Sequence, residues 1–355
     1  MSTISTPTAK PTTSPGARGA AMSEADRVSG DRRDEHAEHH ADRNPGTPLD
    51  LGRVMAQRVN RSAVERRAAT LPARRTVKKE WQAAWLLRAL TCLDLTTLAG
   101  DDTPGNVRRL CAKARQPLRA DLAEGLGVAD LHLHTGAVCV YHNLIPTAVE
   151  ALAGTDIPIA AVSAGFPAGQ NPFPQRVEEI RASVAVGARE IDIVISRAHV
   201  LRGEWSALYD EVRTFREACG DAHLKTILAT GELGTLTEVA QASWVCLMAG
   251  ADFIKTSTGK ETVNATLPVG LVMTRAVREY HEATGHRAGF KPAGGIRTAK
   301  RAIDWLVLMY EELGERWTHP DLFRIGASSL LTDIERQLEH NLTGHYAADY
   351  RHPMV

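Results

Sequence analysis

From about residue 85 the chain alternates between two hydrophobic patterns. Short runs rich in apolar and β-branched residues occupy 90–98, 137–144, 157–166, 190–196, 223–231, 251–258, 287–295 and 322–328. Between most of them lie segments whose apolar positions recur every three or four residues, such as 176–186, 204–218, 235–248 and 267–281. The first pattern predicts strands and the second amphipathic helices. Strands that alternate with helices need crossover connections and so pair in parallel. Eight such units within about 260 residues predict a (β/α)8 TIM barrel of the α/β class. An open doubly wound sheet is the alternative and would carry G-x-G-x-x-G after its first strand. The turn after Leu98 reads Ala-Gly-Asp-Asp-Thr-Pro-Gly and lacks it.

The pattern is absent before residue 85. Residues 1–50 hold Ser, Thr, Pro, Gly, Ala, Asp and Arg with almost no large apolar side chains. Such a segment cannot bury enough surface to offset its ordering entropy, which predicts a disordered tail. Its His36, His39 and His40 read as solvated polarity more readily than as metal ligands. Residues 51–84 read as a basic, partly helical extension. Nine Lys or Arg stand against two Glu over 51–80, with Val54, Val59 and Val64 among its few apolar positions. Either a basic helix lying on the main domain or on a partner, or a solvated arm, is compatible with that charge. The barrel is expected over 85–345 and a short tail over 346–355.

Composition narrows the functional classes. The 355 residues carry 42 Lys plus Arg and 42 Asp plus Glu, a formal net charge of zero. Neutrality argues against a nucleic-acid-binding protein, which needs a basic excess. No apolar run reaches the length of a membrane span, and the N-terminus has no apolar signal core. Cys92, Cys111, Cys139, Cys219 and Cys246 are odd in number and widely spaced. They predict reduced, packed thiols and a cytoplasmic setting. His132 and His134 lack a third ligand nearby, and Asn341-Leu-Thr343 matters only in a secreted protein.

Polar residues inside apolar strands are the informative ones, because barrel active sites sit at the C-terminal ends of the strands. The fourth run contains Asp192, the sixth Lys255, and the seventh Lys291. A buried lysine is costly unless its charge is paired or its pKa lowered. Lys255 and Lys291 fall on adjacent strands at similar heights, so one of the two should titrate low. A lysine at its reference pKa is only about 0.04% neutral at pH 7, and lowering its pKa to about 7 gains roughly a thousandfold in nucleophile for about 4–5 kcal/mol. One lysine as Schiff-base nucleophile, the other as its electrostatic tuner, and Asp192 as proton carrier form a coherent set. Two lysines that only bridge carboxylates are the structural alternative. Gly294-Gly295 follows the seventh run, and Gly326-Ala-Ser328-Ser329 the eighth. These are the loops with which barrels hold a phosphate, and Lys260 and Arg297 are candidate charge partners. Tight turns alone would also use the glycines. Thr258-Gly259-Lys260 is not a P-loop, since Ile254 and Glu261 stand where that motif needs Gly and Ser or Thr.

The quoted stretches resemble deoxyribose-phosphate aldolases. They are Asp94-Leu-Thr96-Thr-Leu, Ala137-Val-Cys139-Val-Tyr141, Gly165-Phe-Pro-Ala-Gly, Glu190-Ile-Asp192, Lys225 through Glu232, Phe-Ile-Lys255-Thr-Ser-Thr-Gly-Lys260, Gly-Phe-Lys291-Pro-Ala-Gly-Gly-Ile-Arg297 and Arg-Ile-Gly326-Ala-Ser-Ser329. They run in one order over about 85–335, and the wording is similar to the longer, animal-type branch. The resemblance implies a class I aldolase without metal or cofactor that reversibly cleaves 2-deoxy-D-ribose 5-phosphate into acetaldehyde and D-glyceraldehyde 3-phosphate, within deoxyribonucleoside catabolism. It implies Lys255 as the Schiff-base lysine and Asp192 with Lys291 as the proton relay. Thr258, Gly259, Lys260, Gly294, Gly295, Gly326, Ser328 and Ser329 match the phosphate pocket, with Arg297 beside it, and Thr96 and Cys139 match the substrate channel. The partner implied is a small phosphorylated sugar, with neither nucleic acid nor membrane, and a homodimer. The N-terminal 80 residues have no counterpart in short members, and Tyr346 and Tyr350 are the tyrosines of the tail. Rival readings are an aldolase for another phosphorylated sugar, a binding role centred on 51–80, and an isomerase or synthase on the same barrel.

Overall fold

The computed structural model describes residues 43–352 apart from Thr76. The three tail histidines, His36, His39 and His40, lie outside the described residues. Eight strands form the centre: β1 Leu93–Thr96, β2 Ala137–Tyr141, β3 Ile159–Ser163, β4 Glu190–Val194, β5 His223–Ile227, β6 Phe253–Lys255, β7 Gly289–Lys291 and β8 Ile325–Ala327. All neighbours pair in parallel, in the order β7-β6-β5-β4-β3-β2-β1-β8. Parallel bridges from Phe290 to Phe323 and from Ala293 to Gly326 bring the β7 and β8 sides together and complete the ring. The architecture is a (β/α)8 barrel, not an open sheet.

Every strand falls inside one of the predicted runs, and each run is longer than its strand. The extra residues are buried coil at the strand ends, such as 256–258 and 292–293. In the first run the excess is helical, because Leu90 and Thr91 close the helix Glu80–Thr91. A short apolar run does not distinguish a buried strand from a buried helix end. Alternation along the strands separates two apolar groups. Leu93, Leu95, Val138, Val140, Ile191, Ile193, Leu224 and Ile254 belong to the main core beneath the helices. Cys139, Ala160 and Val162 form a small separate cluster inside the barrel, flanked by Leu98, Tyr141 and Phe166. The remaining inward positions are largely charged, and they make the site.

Residues 43–50, read from composition as part of a disordered tail, are docked on the barrel. Asn44 is buried and acts as a plug at the C-terminal end of the helix Leu236–Met248. Its amide donates to Leu247 O (2.9 Å) and Ala251 O (2.8 Å), its backbone N–H donates to Asp252 Oδ1 (2.8 Å), and Thr47 N–H donates to Met248 O (2.8 Å). Helix C-termini leave carbonyls without partners, and this strap supplies the donors. Composition registers polar residues as disorder-promoting and has no means of seeing them bonded in place.

Two helices of the basic extension also lie on the barrel. Asp50 caps Leu51–Ala56 and Asn60 caps Arg61–Arg74 through their side chains. Val64, Ala68 and Leu71, spaced four and three apart, bury one stripe of the longer helix against Leu267–Thr284 and Ala299–Leu313. Arg67 pairs with Glu312 at 3.0 Å, Arg75 with Glu311 at 2.9 Å, and Arg74 with Glu311 at 3.5 Å. Three of the nine basic residues are therefore paired with two glutamates of one outer helix. After the last helix, Leu330–Thr343, the tail turns back along it, and buried His352 sits between Glu335 and Glu339. Tyr346 stacks on His340, and Tyr346 and Tyr350 are both exposed. Among the described residues, no helix is long and apolar enough to cross a membrane.

Candidate active site

The inward positions of five strands, with Arg324 just before β8, place seven charged side chains inside the barrel: Asp94, Glu190, Asp192, Lys225, Lys255, Lys291 and Arg324. All are buried. The Lys255 ammonium nitrogen lies 2.7 Å from Asp192 Oδ2, and the Lys291 nitrogen is also 2.7 Å from that same oxygen. Lys291 additionally donates to Asp94 Oδ2. Lys225 bridges Glu190 (2.6 Å) and Asp192 Oδ1 (2.8 Å). Arg324 forks between Asp94 Oδ1 (2.6 Å) and Glu190 Oε1 (2.9 Å). The β6–β7 register sets Lys255 directly opposite Lys291, as their positions in adjacent runs implied.

These contacts separate the three lysines electrostatically. Burial, reinforced by the charge of Lys291, lowers the Lys255 amine despite its contact with Asp192. Burial works the same way on Lys291, but Asp192 and Asp94 outweigh it and push its pKa up. Lys225 is likewise raised by Asp192 and Glu190 against the effect of burial. Burial disfavours an ionised Asp192, yet Lys225, Lys255 and Lys291 together hold it well below the usual carboxylate range. Lys255 is thus the amine poised to be neutral, beside a carboxylate that stays charged.

Lys255 also opens onto a cavity of about 430 Å³ at the C-terminal mouth of the barrel. Thr96 forms part of the wall. Thr258, Gly259 and Lys260 after β6, Gly294, Gly295 and Arg297 after β7, and Gly326, Ser328 and Ser329 at β8 line the rest. Gly259, Gly294 and Gly295 all have positive φ. At Gly294 a Cβ would lie 2.5 Å from Asn264 Oδ1, so the turn needs glycine for space as well as for conformation. Ser329 precedes Leu330–Thr343, whose N-terminus has no side-chain cap. Lys260 reaches across the mouth to Leu98 O at 2.9 Å. Cys139 stands apart: it is inside the barrel but not on the cavity wall, and burial raises its thiol so that it stays protonated. His132 and His134 lie in the segment that leads into β2, and His134 Nδ1 contacts Thr135 O.

Sequence reasoning assigned no role to Asp94, Glu190, Lys225 or Arg324. Three of them sit in strands at spacing two from other inward residues, and Arg324 directly precedes β8. A charged residue in phase with the barrel interior was the available signal. Glu261 was also missed: its carboxylate accepts the N–H groups of Thr258 (2.9 and 3.1 Å) and Gly259 (3.1 Å). A carboxylate that holds a backbone turn in this way has no periodicity to betray it.

The barrel mouth thus combines a buried lysine, lowered from its usual pKa by burial, with glycine- and serine-rich loops. Residues 88–333 match the DeoC/LacD family aldolase model, and the chain belongs to that family. It is 61% identical over 313 residues to human deoxyribose-phosphate aldolase, covering 88% of this chain and 98% of the human one. The mouse protein of the same name is 62% identical over 311 residues, covering 87% and 98%. Among solved structures, a tetrameric deoxyribose phosphate aldolase from Aeropyrum pernix shares the fold, with a TM-score of 0.54 and 21% identity over 79% of this chain and 99% of that one.

Proposed function

We propose that the protein reversibly cleaves 2-deoxy-D-ribose 5-phosphate to acetaldehyde and D-glyceraldehyde 3-phosphate through a Schiff base on Lys255. The observation that carries this reading is the Lys255 amine. It is lowered by burial, lies 2.7 Å from Asp192 and opens into the cavity. The names and near-complete coverage of the mammalian relatives support the substrate.

Neutral Lys255 adds to the C1 aldehyde carbon, and the carbinolamine takes up a proton on its hydroxyl and loses water to leave a protonated imine. Its positive charge draws in the electron pair of the C2–C3 bond as that bond breaks. At the same time the C3 hydroxyl gives up its proton and C3 becomes the aldehyde carbon of glyceraldehyde 3-phosphate. Asp192, held ionised, accepts that proton, and Lys291 stabilises the charge around it. The enamine left on Lys255 is then protonated at C2. Water adds to the resulting imine, acetaldehyde leaves, and the free amine returns. The phosphate sits at Gly294-Gly295 and Ser328-Ser329, near the uncapped helix start, with Lys260 and Arg297 supplying charge. It is remote from the breaking bond, so its binding energy serves to position C1 at Lys255.

The test is borohydride reduction in the presence of acetaldehyde, read by peptide mass. An ethyl adduct on Lys255, absent from Lys255→Ala, is expected. A folded wild-type protein that gives no adduct would remove the Schiff base, and with it this reaction. Cleavage of other phosphorylated 2-deoxy sugars at equal efficiency would leave the chemistry standing and change the substrate.

A further inference from the structure

The interior of the barrel holds four cationic side chains and three carboxylates. Three of the cations each engage two or more carboxylates: Lys225 meets Glu190 and Asp192 closely and Asp94 at 3.7 Å, Lys291 meets Asp94 and Asp192, and Arg324 meets Asp94 and Glu190. Among the described residues, Lys255 meets one carboxylate oxygen, Asp192 Oδ2, and shares it with Lys291. A buried unmatched charge is expensive, and the cheapest relief is loss of a proton. The amine with the fewest partners is the one that loses it.

Arg324 is not one of the groups that touch Lys255. It lies one residue before β8, buried, with its guanidinium closed onto Asp94 and Glu190. Arginine cannot give up its own proton to relieve the imbalance. We infer that Arg324 and Glu190 are positioning residues that set the charge count of the barrel, so that the proton in excess is shed by Lys255. This inference rests on the Schiff-base reading and adds what makes Lys255, rather than Lys225 or Lys291, the nucleophile. The other groups facing this interior are Cys139 from β2 and His223 from β5. The His223 Nδ1 is 3.7 Å from Glu190, and its other ring nitrogen meets Arg43. β3 contributes Ala160 and Val162, which carry no charge.

Substitutions that change the count should move the ionisation of Lys255 in opposite directions. Arg324→Met leaves three cations against three carboxylates, so the Lys255 ammonium becomes matched. The acidic limb of the pH profile of kcat/KM then moves up by about one unit, which makes activity near neutrality roughly tenfold lower and recoverable at higher pH. Arg324→Lys keeps the charge without the fork and should keep the limb near its wild-type position. Glu190→Gln leaves four cations against two carboxylates and moves the limb down. Combining Glu190→Gln with Arg324→Met restores an excess of one and returns the limb toward wild type. A merely structural role would lower the rate at every pH without moving the limb.

The limb is measured with 2-deoxy-D-ribose 5-phosphate and, independently, from the pH dependence of acetaldehyde trapping on Lys255. Immobile limbs in Glu190→Gln and in the double variant overturn the inference, even if Arg324→Met alone does not fold. Shifts of the same sign in Arg324→Met and Glu190→Gln overturn it too. Absence of any trapped adduct on wild-type Lys255 instead overturns the Schiff-base reading, so the two failures are distinguishable.

Discussion

Lys255 is a residue whose chemistry and stability pull apart. Its folded-state pKa is lowered, chiefly by burial, while in the unfolded chain it stands near its reference value of about 10.4. Below that value the unfolded state binds more protons than the folded one, so stability falls as pH drops from strongly alkaline toward neutral. At neutral pH the folded protein therefore bears a cost for keeping this amine in place. Lys255→Met fills similar volume with a neutral side chain and leaves Asp192 held by Lys225 and Lys291. The variant should lose activity by a factor on the order of 10³ or more and gain about 1 kcal/mol of stability. Urea unfolding of the two proteins at pH 7 and at pH 10 checks this. The gain should shrink at the higher pH, and a variant less stable than wild type at pH 7 would contradict the assignment of Lys255 as the strained amine.

At the scale of elements, the proposed catalytic lysine and the proposed phosphate loops are separable. Strand β6 presents Lys255, whereas the turn after β7 presents Gly294 at φ +84° with Asn264 packed against it. Gly294→Ala puts a Cβ where Asn264 stands and forces a side chain into left-handed backbone. The expected result is a rise of about tenfold in KM for the phosphorylated sugar, with acetaldehyde still trapped on Lys255, because acetaldehyde carries no phosphate. Loss of trapping together with KM would mean that the turn supports β7 itself.

The same division explains what could be read in advance. Lys255, Lys291 and the two glycine-bearing turns were legible because strand alternation and barrel topology place them without knowledge of side-chain contacts. The eight strands were legible for the same reason. Of the charged groups around those lysines, Asp192 was assigned and the others were not. Asp94, Glu190, Lys225 and Arg324 act through pairings across β1, β4, β5 and the start of β8, and a pairing between distant residues leaves no local pattern. The short strap at 43–50 was misread because its order comes from hydrogen bonds, not from apolar burial.

For the molecule as a whole, that strap ties the start of the described chain to the face of the barrel opposite the cavity. Asn44 spends every polar atom of its side chain there. Its amide N–H groups serve two carbonyls, and its Oδ1 accepts from Tyr280 O–H at 2.9 Å and Gly46 N–H at 3.0 Å. Asp252, which accepts from its backbone N–H, also holds Arg216 and Leu224 N–H at 2.8 Å each. Asn44 and Asp252 together thus join the ends of β5, β6 and two outer helices. Asn44→Ala would leave the Tyr280 hydroxyl and two carbonyls buried without this partner, at a cost of about 2–3 kcal/mol. Because Asn44 lies at the N-terminal ends of the strands, the acidic limb of the pH profile should not move, since no charge inside the barrel has changed. Chemical denaturation with and without the substitution measures the first expectation, and the pH profile of kcat/KM the second. A stability loss below about 0.5 kcal/mol would show that the strap rests on the barrel without holding it. A shifted limb would show instead that the N-terminal face reaches the Lys255 amine, through Arg43, His223 and Glu190.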